Sequence, residues 1–113
     1  MEMVVHLHPE IFDIVKTGSK NVEVRINDDK RRQLKVGDTL IFLKRPDDNE
    51  EIKAVVTSLD YYDNFKELVN HYEMKRLYLD SYSKEMFLHE LAKFYTLEEQ
   101  EKYGVVAIGF KKQ

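Results

Sequence analysis

Residues 18–26 constrain the fold more than any other segment of the chain. In their second half apolar and polar side chains alternate, which is the period of a strand that turns one face to a core. The β-branched face consists of Val22, Val24 and Ile26. The opposite face carries Glu23 and Arg25, shortly after Lys20, and Gly18 permits a sharp turn into the strand. The segment therefore predicts a core strand whose other face presents three ionisable groups.

The chemistry of these groups allows two interpretations. In a partly dry cleft the charge of Arg25 would lower the pKa of Lys20 and favour a base or nucleophile, whereas the carboxylate of Glu23 would raise that pKa. Glu23 and Arg25, two positions apart on one face, are placed to pair, so that the carboxylate accepts from a base edge or a sugar hydroxyl. The alternative is a strand-surface ion pair beside a solvated lysine, which contributes about 0–1 kcal/mol.

The composition is that of an ordinary globular protein. Of 113 residues, 42% are hydrophobic and 35% charged, which predicts one domain over residues 1–113 with a single core. The net charge of −3 argues against a large nucleic-acid footprint but is compatible with a nucleoside or a short single strand in a local basic pocket. The lack of cysteine fits a reducing cytoplasm, and no apolar run is long enough for a signal peptide or a membrane span. We therefore expect a soluble, cytoplasmic protein.

Periodicity in the first half of the chain predicts four strands and one helix. The strands are expected over residues 3–7, 21–26, 39–44 and 51–61, with a helix over 9–17. Gly18 is the natural end of that helix. Around Val55 and Val56 both faces of the long strand become apolar, which predicts a central position in the sheet.

The second half is predicted to be helical up to a last strand. Asp63 or Asn64 is suited to cap a first helix, and Ser83 and Thr96 have the character of N-caps for two later helices. The helix after Ser83 is expected to bury Phe87, Leu88, Leu91 and Phe94. Gly104 opens a terminal strand. The expected fold is α+β, with short mixed strands in a small β-barrel or strongly curved sheet and helices packed against it.

Residues 27–32 form the most polar segment of the chain and predict an exposed turn. The basic triplet Lys30, Arg31 and Arg32 is the one basic cluster in the sequence. Because two aspartates precede it, the pattern favours a solvated loop in which the opposite charges balance.

The spacing Gly18-x-Lys20-x-x-Glu23-x-Arg25 resembles the main motif of the ASCH domain, a branch of the PUA-like superfamily, with every defining position filled. Three further features agree with small stand-alone members of that family, namely residues 9–17, 36–38 and 102–108. The resemblance implies a PUA-like β-barrel with a cleft between barrel and helices, where the three charged side chains converge. It also implies that the protein binds RNA or a modified nucleoside or nucleotide, with no cofactor.

One hydrolytic branch of that family, the N4-acetylcytidine amidohydrolases, is similar to this chain in size. Its members use a lysine at the position of Lys20, a threonine at that of Glu23 and a glutamate on the late helix, for which Glu85 is the nearest match. Because Glu23 replaces the threonine, the chain departs from that branch at a catalytic position. The alternative to a binding protein is a small hydrolase acting on a modified nucleoside or on RNA. In it Lys20 would be base or nucleophile, and Glu23 or Glu85 would move the proton.

Other side chains carry two interpretations each. Tyr61 and Tyr62, at the end of the long strand, are candidates for stacking on a base, although tyrosines also lie at core margins with a wet hydroxyl. Glu85 is either a cleft residue or an exposed glutamate favoured by the helix dipole. The four histidines lack the spacing and the acidic partner of a zinc site, so we expect no metal.

Overall fold

The computed structural model describes residues 1–113, which form five strands and five short helices. The strands are β1 (Glu2–Leu7), β2 (Val22–Ile26), β3 (Thr39–Lys44), β4 (Glu51–Tyr62) and β5 (Val105–Lys112). The helices are α1 (Pro9–Thr17), α2 (Phe65–Leu68), α3 (Met74–Leu77), α4 (Lys84–Ala92) and α5 (Leu97–Tyr103). None of them has the length and apolar composition that crossing a bilayer requires.

One mixed sheet has the strand order β1-β3-β4-β5-β2, so β4 is central, as the sequence predicts. β1 runs parallel to β3, and every other neighbouring pair is antiparallel. The two edges, β1 and β2, approach each other because the sheet curls. The Nη2 of Arg25 on β2 donates to the carbonyl of His6 on β1 at 3.2 Å, and the Nζ of Lys30 donates to the Val4 carbonyl at 3.5 Å. We call this side-chain-bridged gap the β1–β2 seam. The predicted α+β fold with a curved sheet and packed helices is confirmed, in the form of a curled half-barrel.

Two buried clusters lie on opposite faces of the sheet. One packs α1 against β1, β3, β4 and β5, and the other packs β2 and the helices of the second half against β5. Because successive side chains of a strand point to opposite faces, β5 supplies both clusters. It gives Val106, Ile108 and Phe110 to the first and Val105 and Ala107 to the second. The sequence predicted a single core. The structure has two buried clusters, because the helices of the second half cover the other face of the sheet.

Local signals set the ends of the helices as predicted. Gly18, at φ 93°, ends α1 in the left-handed region and turns the chain toward β2. The side chain of Asn64 caps α2, and Thr96 and Glu99 form a complete capping box on α5. The prediction that Phe94 is buried on the late helix is wrong. α4 ends at Ala92, and Phe94 lies beyond it with 56% of its surface exposed.

Replacing Ser83 by alanine is expected to lower the free energy of unfolding by about 1 kcal/mol. The Ser83 hydroxyl accepts the backbone N–H of Met86 at 3.1 Å and so satisfies a free donor at the start of α4. Urea unfolding followed by circular dichroism measures the change. Ser81→Ala, in the exposed turn before the helix, is the matched control and should leave the midpoint unchanged. Equal midpoints for both variants would contradict the assigned cap.

Candidate functional site

The three charged residues predicted from residues 18–26 come together in one network, with Lys20 and Glu23 buried and Arg25 half-buried. The Nζ of Lys20 lies 3.1 Å from Oε1 of Glu23. The other carboxylate oxygen of Glu23 accepts from Nη2 of Arg25 at 2.9 Å and from its Nε at 3.2 Å. Glu23 thus bridges an ammonium and a guanidinium, and we refer to the three residues as the charged network.

Lys20 is fully partnered inside the protein. Its side chain is 3% exposed, and Nζ also donates to the carbonyls of Val22 at 2.5 Å and Leu77 at 2.8 Å. Three acceptors match the three N–H groups of an ammonium, so the geometry holds the protonated form. Leu77 ends α3, and this contact therefore ties β2 to the helical half of the chain.

Burial and pairing act in opposite directions on each ionisable group of the charged network. Burial alone would raise the pKa of Glu23, but the charges of Lys20 and Arg25 outweigh it and lower that pKa to about 2. Burial lowers the pKa of Lys20 against the raising effect of Glu23. For Arg25, the attraction of Glu23 exceeds the effect of burial, and the pKa is raised. Two cations therefore share one anion, and the charged network carries a net positive charge.

This network forms one wall of a cavity of about 180 Å³ between β1, β2, α1 and α4. The deep wall is otherwise apolar, with Leu7, Ile11 and Leu91. Aromatic rings line the mouth, those of Tyr78 and Tyr95 half-buried and that of Phe94 exposed, 5.5 Å from the ring of His8. The carboxylates of Glu10 and Glu90 also border the cavity. The cavity thus joins a wall of paired charges to an aromatic mouth. This is the composition of a small-molecule site, in which a few polar groups converge on an apolar recess.

The late helix contributes a different carboxylate from the one the sequence suggested. Glu85 is exposed in the first turn of α4 and lies outside the cavity. Glu90 on the same helix lines the cavity, with Oε1 accepting from Nζ of Lys93 at 3.0 Å. A signal for Glu90 was present in the sequence, because it follows the buried Phe87 by three positions and precedes the buried Leu91. A role for Glu85 stays a prediction.

Tyr61 and Tyr62 lie apart from the charged network. They line a second recess of about 610 Å³ between the end of β4 and α5. The ring of Tyr62 stacks on His71 with centroids 4.8 Å apart, whereas Tyr61 is 55% exposed. Stacking of a base on these tyrosines stays a prediction, and it concerns this second recess.

Two residues near the charged network were not predicted as site residues. Arg31, expected in a solvated loop, is half-buried in a 3-10 turn over Arg31–Gln33. Its charge and that of Arg25 both act on Tyr95, whose pKa is raised because burial outweighs the two guanidiniums. The Tyr95 hydroxyl therefore stays protonated and is available as a donor. The alternation and periodicity of the sequence contain no signal that the Arg31 side chain is partly buried.

Comparison with known proteins agrees with the motif. The family model for the ASCH domain matches residues 5–113. The chain belongs to the ASCH domain family. No curated protein matches the sequence of this ASCH domain significantly. The match covers all five strands at least in part and includes the whole charged network.

Three solved structures resemble this ASCH domain over nearly its whole length. The crystal structure of the hypothetical protein PH0355 is 32% identical, with full coverage of both chains and a TM-score of 0.88. The solution structure of protein PF0455 from Pyrococcus furiosus is 30% identical, with 99% of this chain and 97% of that chain covered and a TM-score of 0.78. A point mutant of ZmASCH from Zymomonas mobilis is 16% identical, covers 97% of this chain and 67% of its own, and has a TM-score of 0.61. The last of these supports the fold alone.

Proposed function

We propose that this ASCH domain binds RNA or a modified nucleotide in the cavity beside the charged network. The observation that carries the proposal is that the charged network, with Arg25 half-buried at its outer end, faces an aromatic mouth across one cavity. Proteins that recognise unpaired bases stack them on aromatic rings and bond their polar edges. Membership of the ASCH domain family supports the same class of ligand.

The size of the cavity limits what enters it. Its volume of about 180 Å³ lies below the roughly 300–1,000 Å³ of pockets that enclose a drug-sized ligand. A single base is the part of a nucleotide that fits, with sugar and phosphate outside. The exposed ring of Phe94 offers a stacking surface at the mouth, and Arg25 and Glu90 offer a donor and an acceptor to the base edge.

The hydrogen bonds of Lys20 favour binding over hydrolysis. To act as a base or nucleophile, Lys20 would have to lose a proton that bonds to one of its three acceptors. Its partners instead fix the direction of the Glu23 carboxylate and hence of Arg25. We therefore assign Lys20 and Glu23 to positioning and Arg25 to ligand contact.

Phe94→Ala is expected to weaken binding of short single-stranded RNA by roughly 10-fold, because stacking on one aromatic side chain contributes about 1–3 kcal/mol. Fluorescence anisotropy with labelled RNA pentamers of each base composition measures the dissociation constant. Met86→Ala removes an exposed apolar side chain of α4 outside the cavity and is the matched control. Equal affinity of Phe94→Ala and Met86→Ala would reject the cavity as the binding site.

The same proteins test the hydrolase alternative. Incubation with N4-acetylcytidine and with RNA, followed by chromatography, is expected to show no product. Binding itself is measured by anisotropy, as above. Turnover that Lys20→Met abolishes, in a variant that still folds, would replace the binding proposal by an enzymatic one. Absence of any binding by the wild type would reject both.

A further inference from the structure

The second recess, between the end of β4 and α5, is larger than the cavity beside the charged network. Its volume of about 610 Å³ lies within the roughly 300–1,000 Å³ of pockets that enclose a small ligand, whereas the cavity holds about 180 Å³. Phenol rings, amide side chains and two carboxylates line the recess together with Leu97. An aromatic, hydrogen-bonding lining of this size is suited to a planar polar ring such as a nucleobase.

One amide in this lining is not used by the fold. Oδ1 of Asn27 is enclosed by the protein and has no hydrogen-bond partner, the only such side-chain atom in the chain. Its backbone is fixed, because the N–H donates to the carbonyl of Gly104 at 3.0 Å and the carbonyl accepts from Nε of Arg32 at 2.9 Å. The other two lining amides are engaged, since Asn64 caps α2 and Gln100 accepts a backbone N–H of the same helix at 3.0 Å. An unpaired buried acceptor is unfavourable, and a turn of the Asn27 amide toward the recess would pair it with a donor on a ligand.

Two exposed apolar side chains border the recess from different elements. Tyr61, near the end of β4, exposes 55% of its surface, and Leu97, the first residue of α5, exposes 75%. The ring of Tyr62 is instead stacked on His71. Single exposed apolar residues are common on protein surfaces, but an aromatic ring and an aliphatic side chain at one polar recess offer a stacking surface to a base. Tyr61 is therefore the ring on which a base would stack.

The charges around the recess favour an uncharged ring inside it and an anion outside. Asp63 and Glu101 line the recess, and none of the lining residues is a cation. Two exposed cations lie next to the lining residue Tyr103. Nη2 of Arg32 donates to its carbonyl at 3.3 Å, and Nζ of Lys102 lies 5.1 Å from the centroid of its ring. A phosphate group inside would meet two carboxylates without a lining counter-ion, whereas the amino group of a base can donate to them, so the sugar and phosphate are expected outside.

The recess lies next to the cavity. Arg25 lines the cavity and Asn27 the recess, two positions apart in the chain. Phe94 lines the cavity and Leu97 the recess, three positions apart. Because an extended chain spans at most about 3.6 Å per residue, the Cα atoms of these two pairs are no more than about 7 Å and about 11 Å apart. One RNA strand of a few nucleotides can therefore reach both places.

We propose that the second recess is a second base subsite for an RNA strand that also places a base in the cavity. In this subsite a base stacks on Tyr61, and its polar edge bonds to the side-chain amide of Asn27. The ligand is then a single-stranded oligonucleotide rather than a free nucleotide. This inference rests on the proposed function, because it requires that RNA binds at the cavity.

Tyr61→Ala is expected to weaken binding of RNA pentamers by about 10-fold in fluorescence anisotropy, because the stacking of one base is lost. Tyr61→Phe keeps the ring and should bind like the wild type. Asn27→Ala should weaken binding by about 5-fold, the effect of one lost hydrogen bond. It should not lower the melting temperature, because Oδ1 has no partner in the free protein. Val36→Ala, which shortens an exposed apolar side chain outside both the recess and the cavity, is the matched control and should leave the affinity unchanged.

The length of the ligand gives a second test. A nucleoside 5′-monophosphate fills one subsite at a time, so the wild type should bind pentamers at least about 10-fold more tightly than any of the four monophosphates. Tyr61→Ala should lose most of this advantage. Unchanged pentamer affinity in both Tyr61→Ala and Asn27→Ala would overturn this inference alone. Weaker binding by Tyr61→Ala with no change in Phe94→Ala would confine RNA to the recess and overturn the link to the cavity. Failure of every RNA and nucleotide to bind the wild type would instead reject the proposed function.

Discussion

Replacing Glu23 by glutamine is expected to lower the free energy of unfolding by about 3–5 kcal/mol, the cost of breaking a buried ion pair from one side. Glu23 is 6% exposed and is the only anion between Lys20 and Arg25. A neutral amide leaves the buried ammonium of Lys20 and the half-buried guanidinium of Arg25 without compensation. For a domain of about 100 residues a loss of this size lowers the melting temperature by more than 10 °C.

Thermal unfolding of Glu23→Gln measures this effect, with Glu50→Gln as control. Glu50 also joins two lysines, but at the surface, where solvent screens the charges and replacement should change little. The double variant Lys20→Met with Glu23→Gln should recover part of the loss, because one of the two cations is removed as well. If Glu23→Gln melts like the wild type, the charged network does not hold the site together.

Acid is expected to remove the contribution of Glu23 in a defined range of pH. In the folded protein its pKa is about 2, whereas the ordinary value is 4.5. As pH falls below 4.5 the unfolded chain takes up this proton first, so the contribution is complete above that pH and disappears as pH approaches 2. The shift corresponds to about 3 kcal/mol.

The acid effect is measured as a difference between proteins. Asp38 and Glu50 also have lowered pKa values, so the wild type loses stability in acid for several reasons. The gap in unfolding free energy between wild type and Glu23→Gln isolates one carboxylate. It should narrow by about 3 kcal/mol between pH 5 and pH 2 in urea titrations. Two curves that stay parallel over this range would contradict the buried pairing.

Much of the fold was predictable because its signals are local. The alternation in β2, the stop at Gly18 and the caps at Ser83 and Thr96 each depend on residues within one turn or strand. The motif of the ASCH domain added the expectation that the charged side chains of β2 meet. The strand β2, the helix ends and the charged network could therefore be predicted from residues that are close in sequence.

The rest of the site depends on contacts between distant parts of the chain. The Nζ of Lys20 donates to the carbonyl of Leu77, 57 positions away, and no periodicity in the sequence predicts this hydrogen bond. The spacing of Glu90 to Phe87 and Leu91 marks the edge of the apolar face of α4, but whether that edge borders a cavity depends on packing against distant residues. Arg31 was expected in solvent because it follows two aspartates. Its neighbours Lys30 and Arg32 instead bond to carbonyls of β1 and of the chain after β2, and Arg31 itself is half-buried.

The use of β5 by both buried clusters has a consequence for how the molecule comes apart. This strand inserts alternate side chains into each cluster, and its hydrogen-bond ladders join β4 on one side and β2 on the other. Neither buried cluster can unfold while the other stays folded, because the loss of β5 removes side chains from both clusters at once. Calorimetry should accordingly register one cooperative endotherm, and a ligand held at the cavity should displace that whole peak to higher temperature.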